Sequence, residues 1–267
     1  MKPYTKSEYT AINAETWNEW AKNGCEWTLP VTHEEYLAAR DSGKCSVYLT
    51  PCRYVPREWF GELRGAKLLG LASGGGQQMP IFAALGASCT IFDYSESQLE
   101  KERMTAKREG YAIEILRGDM TKPLPFADNS FDLIFHPVSN CYIREVEPVW
   151  RECFRVLKPG GRLLAGFDNG MNFLFDDIGS EPLIARNKLP FDPLSMPDEE
   201  FARQRDHLEG IQFSHSLEEQ LGGQLRAGFI LRDLYEDRDR EGCGILREYI
   251  TQYMATLAIK PLQSSNL

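Results

Sequence analysis

No cysteine in this chain has a partner at the spacing a metal knuckle or a redox pair needs. The seven stand at 25, 45, 52, 89, 141, 153 and 243, an odd number without a C-x-x-C pair. That pattern argues against a disulfide framework and against a structural zinc site, and reduced core or surface thiols are expected. The four histidines, at 33, 136, 207 and 215, lack metal-ligand spacing as well, so no metal is expected. No apolar run is long enough to span a bilayer, and the opening Met1-Lys2-Pro3-Tyr4-Thr5-Lys6 is too polar for a secretion signal. The expected compartment is the cytoplasm, with no membrane partner. Basic charge is also scarce: 30 Lys and Arg stand against 39 Asp and Glu, a net charge of −9. A nucleic-acid partner is disfavoured, because binding a phosphate backbone needs the opposite balance. Internal repeats and low-complexity tracts are absent too.

What is present suits one large α/β domain with at most a small cap. The 267 residues can bury a sizeable core, and 42% hydrophobic with 26% charged content is ordinary for a soluble globule. The chain is organised around Lys67–Gln78. Lys67-Leu68-Leu69-Gly70-Leu71 is a short apolar run of the kind that forms a buried strand. Gly74, Gly75 and Gly76 then break it, and a helical pattern follows through Met79, Ile81, Phe82 and Leu85 to a stop at Gly86. Strand, glycine turn and helix open a nucleotide-binding βαβ unit, because a Cβ would block both the tight turn and close approach of a ligand. The helix start supplies unpaired N–H groups and a positive dipole end. Cys89–Phe92 is the second strand, and Asp93 closes it 19 residues after Gly74. An acid at that separation can accept hydrogen bonds from ribose hydroxyls.

Ahead of this unit, Thr5-x-x-Glu8 and Thr32-x-x-Glu35 are capping boxes for helices running to about Ala21 and over His33–Arg40. An extended piece at Ser46–Leu49 and a short helix after Pro56 complete the lead-in. Four of the five tryptophans (17, 20, 27 and 59) precede the glycine turn. They either pack the lead-in on the sheet or form a lid over a ligand. Beyond Asp93, Ser95 caps a helix through about Arg108, and Ala112–Leu116 is the third strand, ending in Gly118-Asp119-Met120. Phe131–Phe135 is the fourth strand, with His136-Pro137-Val138-Ser139-Asn140 as its loop. A helix from Pro148 to about Leu157, a turn at Pro159-Gly160-Gly161 and a fifth strand at Arg162–Phe167 follow. From Asp168 to about His215 prolines break the pattern, leaving an insertion with one helix near Asp198–Leu208. Ser216 caps a helix through Arg226, and Phe229–Tyr235 and Tyr249–Ile259 are closing strands joined by a solvated loop at Glu236–Glu241. Alternating strands and helices predict a parallel sheet with ligands at its carboxyl ends. The last two strands predict an antiparallel edge hairpin.

These residues resemble the class I S-adenosylmethionine-dependent methyltransferases, of the small-molecule, methyltransferase-11-like kind. Leu68–Gly76 matches that family's glycine motif, Asp93 its ribose acid, and Gly118-Asp119-Met120 the motif whose acid meets the adenine amino group. Phe131–Ile134 resembles its fourth strand, and Arg155-Val156-Leu157-Lys158-Pro159-Gly160-Gly161 is the nearest match. Each motif alone is weak, but their order and spacing are specific over residues 60–170. The resemblance implies a Rossmann-like, seven-stranded, mostly parallel sheet with an antiparallel last strand and helices on both faces. It implies one methyltransferase domain over 1–267: a helical lead-in or lid at 1–60, a donor-binding core at 61–167, an acceptor-shaping insertion at 168–215, and a closing helix and hairpin at 216–267. S-adenosyl-L-methionine is the implied methyl donor, held by Ser73, Gly74, Gly75, Gly76, Gln77, Asp93, Tyr94, Ser95, Asp119, Met120 and His136. The glycine bend and Asp93 are expected to grip opposite ends of the adenosyl sulfonium. His136, beyond the fourth strand and titrating near neutral pH, is the candidate catalytic base, with a structural role beside the donor as the plainer reading.

The chain departs from the family pattern at two places. Gly70 stands where an acid is usual, so the methionine amino group needs an anchor from the insertion or lead-in. Ala72 stands where a glycine is usual. The Asn-Pro-Pro-aromatic signature of amino-methylating members is replaced by His136-Pro137-Val138, and the adjacent cysteines of arsenic-methylating relatives are missing. The leading expectation is methyl transfer to a small-molecule acceptor by in-line displacement, with the protein aligning the reactants and excluding water. The alternatives are a nicotinamide dehydrogenase, a donor-binding regulator without chemistry, and a tRNA methyltransferase, the last disfavoured by charge.

Overall fold

Leu68 and Leu69 are neighbours in sequence but lie in two different cores. The same split separates Ile134 from Phe135 and Leu163 from Leu164. This is the period-two signature of a sheet covered on both faces, and it explains why these strands are nearly continuous apolar runs. The computed structural model describes residues 5–206 and 210–262. Seven strands form one sheet in the order β3-β2-β1-β4-β5-β7-β6. They are β1 (Lys67–Leu71), β2 (Ser88–Asp93), β3 (Ile113–Arg117), β4 (Phe131–His136), β5 (Leu157–Asp168), β6 (Ile230–Asp237) and β7 (Tyr253–Ile259). The first five run parallel, while β7 pairs antiparallel with both β5 and β6. The order reverses at β1, between β2 and β4, which opens a crevice at the carboxyl ends of those strands.

One face is packed by α2 (His33–Ser42), α3 (Arg57–Phe60), α4 (Met79–Ala84) and α5 (Glu96–Glu109), with Trp59, Phe60, Phe82, Leu99 and Phe135 at its centre. The other is packed by α6 (Glu147–Val156) and α8 (Gly223–Ala227) around Trp150, Val149 and Cys153. The lead-in begins with a 3-10 turn at Lys6–Glu8 and α1 (Tyr9–Lys22), whose capping box has Glu8 accepting from the Thr5 N–H at 2.9 Å. Thr32 and Glu35 cap α2 reciprocally, at 3.2 and 2.7 Å. Gly86, Gly110 and Gly228 end their helices with positive φ, as the sequence predicts.

Several expectations need correction. The Lys158–Gly161 run is the bent start of β5 rather than a turn: Gly160 N–H donates to Lys260 O, and Lys260 N–H to Gly161 O. The second closing strand begins at Tyr253, because Leu246–Glu248 form a 3-10 turn ahead of Tyr249. The segment 236–241 is not a solvated loop. Asp237 belongs to β6, and its Oδ2 accepts from the Thr50 hydroxyl and the Cys52 and Arg53 amides at 2.8–2.9 Å. Charge alone cannot mark such a buried acid when its donors come from backbone 184 residues away. The closing helix starts as a π-helical turn at Glu218–Gly222 before α8. In the insertion, α7 spans Asp198–Asp206; the expected end at Leu208, like His207, lies outside the described residues.

Candidate active site

The carboxyl ends of β1, β2 and β5 face one large cavity of about 1500 Å³. The chain leaves β1 through Ala72, which has φ +48°, a left-handed conformation rare for a residue with a side chain. Gly74 follows. A Cβ there would sit 2.9 Å from Gln98 Cβ and 3.0 Å from Asp93 Oδ2, so no side chain fits. The Gly74 N–H donates to Asp93 Oδ2 at 2.9 Å, and the Ser95 N–H donates to Oδ1 at 2.9 Å. Burial raises the Asp93 pKa, and these backbone N–H groups oppose the rise. Each oxygen keeps a lone pair for a further donor. Asp93 and the glycine bend touch, and they form one continuous wall.

Ser73, Gly74, Gln77, Asp93, Tyr94 and Ser95 line the cavity, as do Asp119 and Met120 at the end of β3. Asp119 Oδ1 is turned by the Thr121 N–H at 2.9 Å. Gly75 and Gly76 fall behind this wall. Their N–H groups are consumed by Gln98 O at 3.1 Å and by Glu102 Oε2 at 2.8 Å, so they build the bend and do not face the cavity. Glu102 is wholly buried against Tyr111, and desolvation lifts its pKa to about 7.

His136 needs correction in both of its expected roles. It is the last residue of β4 and has no exposed surface, while Pro137, Val138 and Ser139 beyond it form the cavity wall. Its Nδ1 lies 2.9 Å from Leu71 O and its Nε2 2.8 Å from the Asn140 side-chain amide. Desolvation holds its pKa below the usual value. With both nitrogens engaged inside the protein, the ring ties β4 to β1. It has no free nitrogen to serve as a base among the described residues, and it does not line the cavity.

Gly70 shows why the usual acid is missing. A Cβ there would lie 2.8 Å from Ile91 Cδ1 and from the Met79 thioether, leaving no room for a carboxylate. Carboxylates do reach the cavity from the lead-in and the insertion, as Glu26, Asp176 and Asp177. The tryptophans divide between the two readings. Trp59 is core, its indole N–H donating to Asp233 at 2.9 Å, whereas Trp17, Trp20 and Trp27 line the cavity. Sequence reasoning missed Asp168, which ends β5 at the cavity wall much as Asp93 ends β2. The strand-end position was a usable signal, but the proline-rich stretch after it made it resemble the start of an insertion.

The residues present fit the donor. Asp93 has acceptor capacity for ribose hydroxyls, Asp119 for an adenine amino group, and Met120 an apolar contact, all on one wall beside a bend that no Cβ would fit. S-adenosylmethionine is consumed in such a reaction, so it is a substrate here. Fold and wall together define a class I S-adenosylmethionine-dependent methyltransferase. The chain belongs to the methyltransferase family: residues 69–165 match the family described as "Methyltransferase domain", and it is 40% identical over 253 residues to the "Uncharacterized methyltransferase YbaJ" of Bacillus subtilis. That alignment covers 94% of this chain and 98% of the relative. A ubiquinone/menaquinone biosynthesis C-methyltransferase of Cereibacter sphaeroides is 36% identical over 111 residues, covering 40% of this chain and 44% of that protein. Among solved structures, an S-adenosylmethionine-dependent methyltransferase from Mesorhizobium loti superposes with a TM-score of 0.58 at 20% identity, over 76% of this chain and 94% of that one. The [4+2]-cyclase SpnF superposes with a TM-score of 0.55 at 18% identity, over 86% and 92%. These two likenesses concern the fold alone.

Proposed function

We propose that this methyltransferase acts on a small-molecule acceptor, bound in the part of the cavity that lies beyond the donor wall. Cavity size carries the reading. A pocket for one drug-sized ligand holds roughly 300–1,000 Å³, and this one reaches about 1500 Å³. The surplus extends past Trp17 and Tyr142 to Phe173, Phe191 and Tyr253. Aromatic walls of this kind suit an organic molecule and exclude water from the transfer. The net charge of −9 disfavours an RNA acceptor. Relatives named for quinone methylation also favour a small acceptor. The chain's work is alignment: Asp93 and Asp119 fix the donor, and the lead-in and the insertion shape the acceptor's seat. Seven free thiols are in keeping with a cytoplasmic setting.

The test is methyl transfer from methyl-deuterated S-adenosylmethionine into a metabolite extract, an RNA fraction and a protein fraction, read by mass spectrometry. Label is expected among the small molecules. Label confined to RNA or protein overturns the reading. Donor binding by calorimetry with no label anywhere favours the regulator.

A further inference from the structure

Asp168 is buried, with 3% of its surface exposed, and it lines the cavity at the end of β5. Its Oδ1 accepts the Gly170 N–H at 2.9 Å, in a turn that Gly170 closes with φ +84°. Its Oδ2 has no hydrogen-bond partner among the described residues. The surrounding groups direct their hydrogens elsewhere. The His215 Nε2 lies 3.0 Å from the carbonyls of Asn140 and of Ile143. The Tyr253 hydroxyl, on the strand residue paired with Asp168, meets Asp239 at 3.3 Å. The remaining titratable neighbour, Cys141, is a buried thiol whose pKa burial and the Asp168 charge both raise. An unpaired buried carboxylate oxygen is costly, and a stable fold seldom keeps one without a use.

We infer that Asp168 Oδ2 is the hydrogen-bond acceptor for a protic nucleophile, a hydroxyl or amine on the methyl acceptor, and that it takes that group's proton during transfer. This rests on the small-molecule reading above. As the nucleophile's lone pair forms its bond to the methyl carbon, its hydrogen passes to Oδ2 as a proton. The carbon–sulfur bond breaks, and its electron pair stays on sulfur. A carboxylate and a sulfonium become a carboxylic acid and a thioether, so both charges vanish together. Loss of an ion pair is most tolerable where water is scarce, and the aromatic rings of Phe173, Phe191 and Tyr253 line this cavity. An acceptor lacking an O–H or N–H leaves Oδ2 unpaired and is rejected for that reason.

The test compares a matched pair of probes, 2-naphthol and its methyl ether 2-methoxynaphthalene, by calorimetry on the full chain with and without S-adenosylhomocysteine. At about pH 8 the wild type is expected to bind the naphthol about tenfold more tightly, the size of one charge-assisted hydrogen bond. In Asp168→Asn the ratio should fall to about one, because an amide nitrogen replaces the acceptor oxygen. If that variant does not fold, the wild type alone decides. Its ratio should collapse between about pH 8 and about pH 5 as the carboxyl, raised to about 6 by burial, takes its proton. A wild-type ratio near one, no measurable naphthol binding, or a tenfold ratio that neither the substitution nor acid removes overturns the inference. Titration with S-adenosylmethionine in parallel separates the two readings. Donor binding with a ratio near one defeats only the role of Asp168, whereas loss of donor binding in the wild type defeats the methyl-transfer site itself.

Discussion

Asp93 holds the glycine bend and is proposed to hold the donor, and one substitution can separate the two. Its Oδ2 fixes the glycine bend through the Gly74 N–H, its Oδ1 accepts the Ser95 N–H, and the residue lines the cavity. Asp93→Asn keeps an oxygen for one backbone donor but removes the charge. It should weaken S-adenosylmethionine about 10- to 100-fold, the range for losing hydrogen bonds to a charged group. Calorimetry reads the affinity, and unchanged far-UV circular dichroism would show that the bend survives. Undiminished affinity would remove Asp93 from the donor site. Ala72 poses the opposite problem. Held at φ +48°, it pays a strain of about 1–2 kcal/mol that glycine escapes, and glycine's extra chain entropy returns about 0.5–1 of it. Ala72→Gly should therefore raise stability by about 0.5–1 kcal/mol in urea unfolding. A loss of stability would mean that the methyl group's packing outweighs the strain.

At the scale of elements, the lead-in is held on the sheet by unusually close backbone contact. A Cβ on Gly166 in β5 would lie 2.2 Å from Leu49 O, and Leu49 O also accepts the Val138 N–H at 3.2 Å. Gly166→Ala must push the 46–51 segment away from the ends of β4 and β5. Overpacking of this kind costs about 1–3 kcal/mol. The expected outcome is a lower melting temperature together with faster proteolysis at residues 40–55, since the docking contact is what protects that segment. Unchanged proteolysis would show that Asp237, gripping residues 50–53 from β6, holds the lead-in unaided. This contact also marks where sequence reasoning stops. The strands, the glycine bend, Asp93 and Asp119 were legible because local periodicity and spacing along the chain encode them. Gly166 carries no such signal, since its need for hydrogen in place of a Cβ comes from a strand end meeting residue 49. The same holds for His136, which occupies the expected place for a base. Only the tertiary contacts with Leu71 and Asn140 show that its nitrogens are already engaged.

Across the whole molecule, three carboxyl groups, the half-buried Asp93 and the buried Glu102 and Asp168, stand behind or along the cavity, and desolvation raises the pKa of each. A carboxyl with a raised pKa binds its proton more tightly in the folded chain than in the unfolded one. Its stabilising contribution is complete below the unfolded pKa and is lost as the pH rises through the folded pKa. For Glu102 that window runs from 4.5 to about 7. Tyr111 and Asp93 are the titratable groups facing it; the tyrosine hydroxyl and the Gly76 N–H favour its charged form, and Asp93 opposes it. Glu102→Gln keeps an oxygen for the Gly76 N–H and cannot ionise. A gap of that width corresponds to roughly 3 kcal/mol, so the variant should exceed the wild type by up to that amount at about pH 8 and match it near pH 4. Urea unfolding across that range gives the comparison directly. A wild type that instead gains on the variant as pH rises would mean that the two hydrogen bonds to the carboxylate outweigh its desolvation. Donor binding runs the opposite way: a sulfonium cation entering this wall favours the ionised carboxyls. The stabilisation that S-adenosylmethionine confers should therefore grow from about pH 5 to about pH 8 in the wild type, and by less in Glu102→Gln.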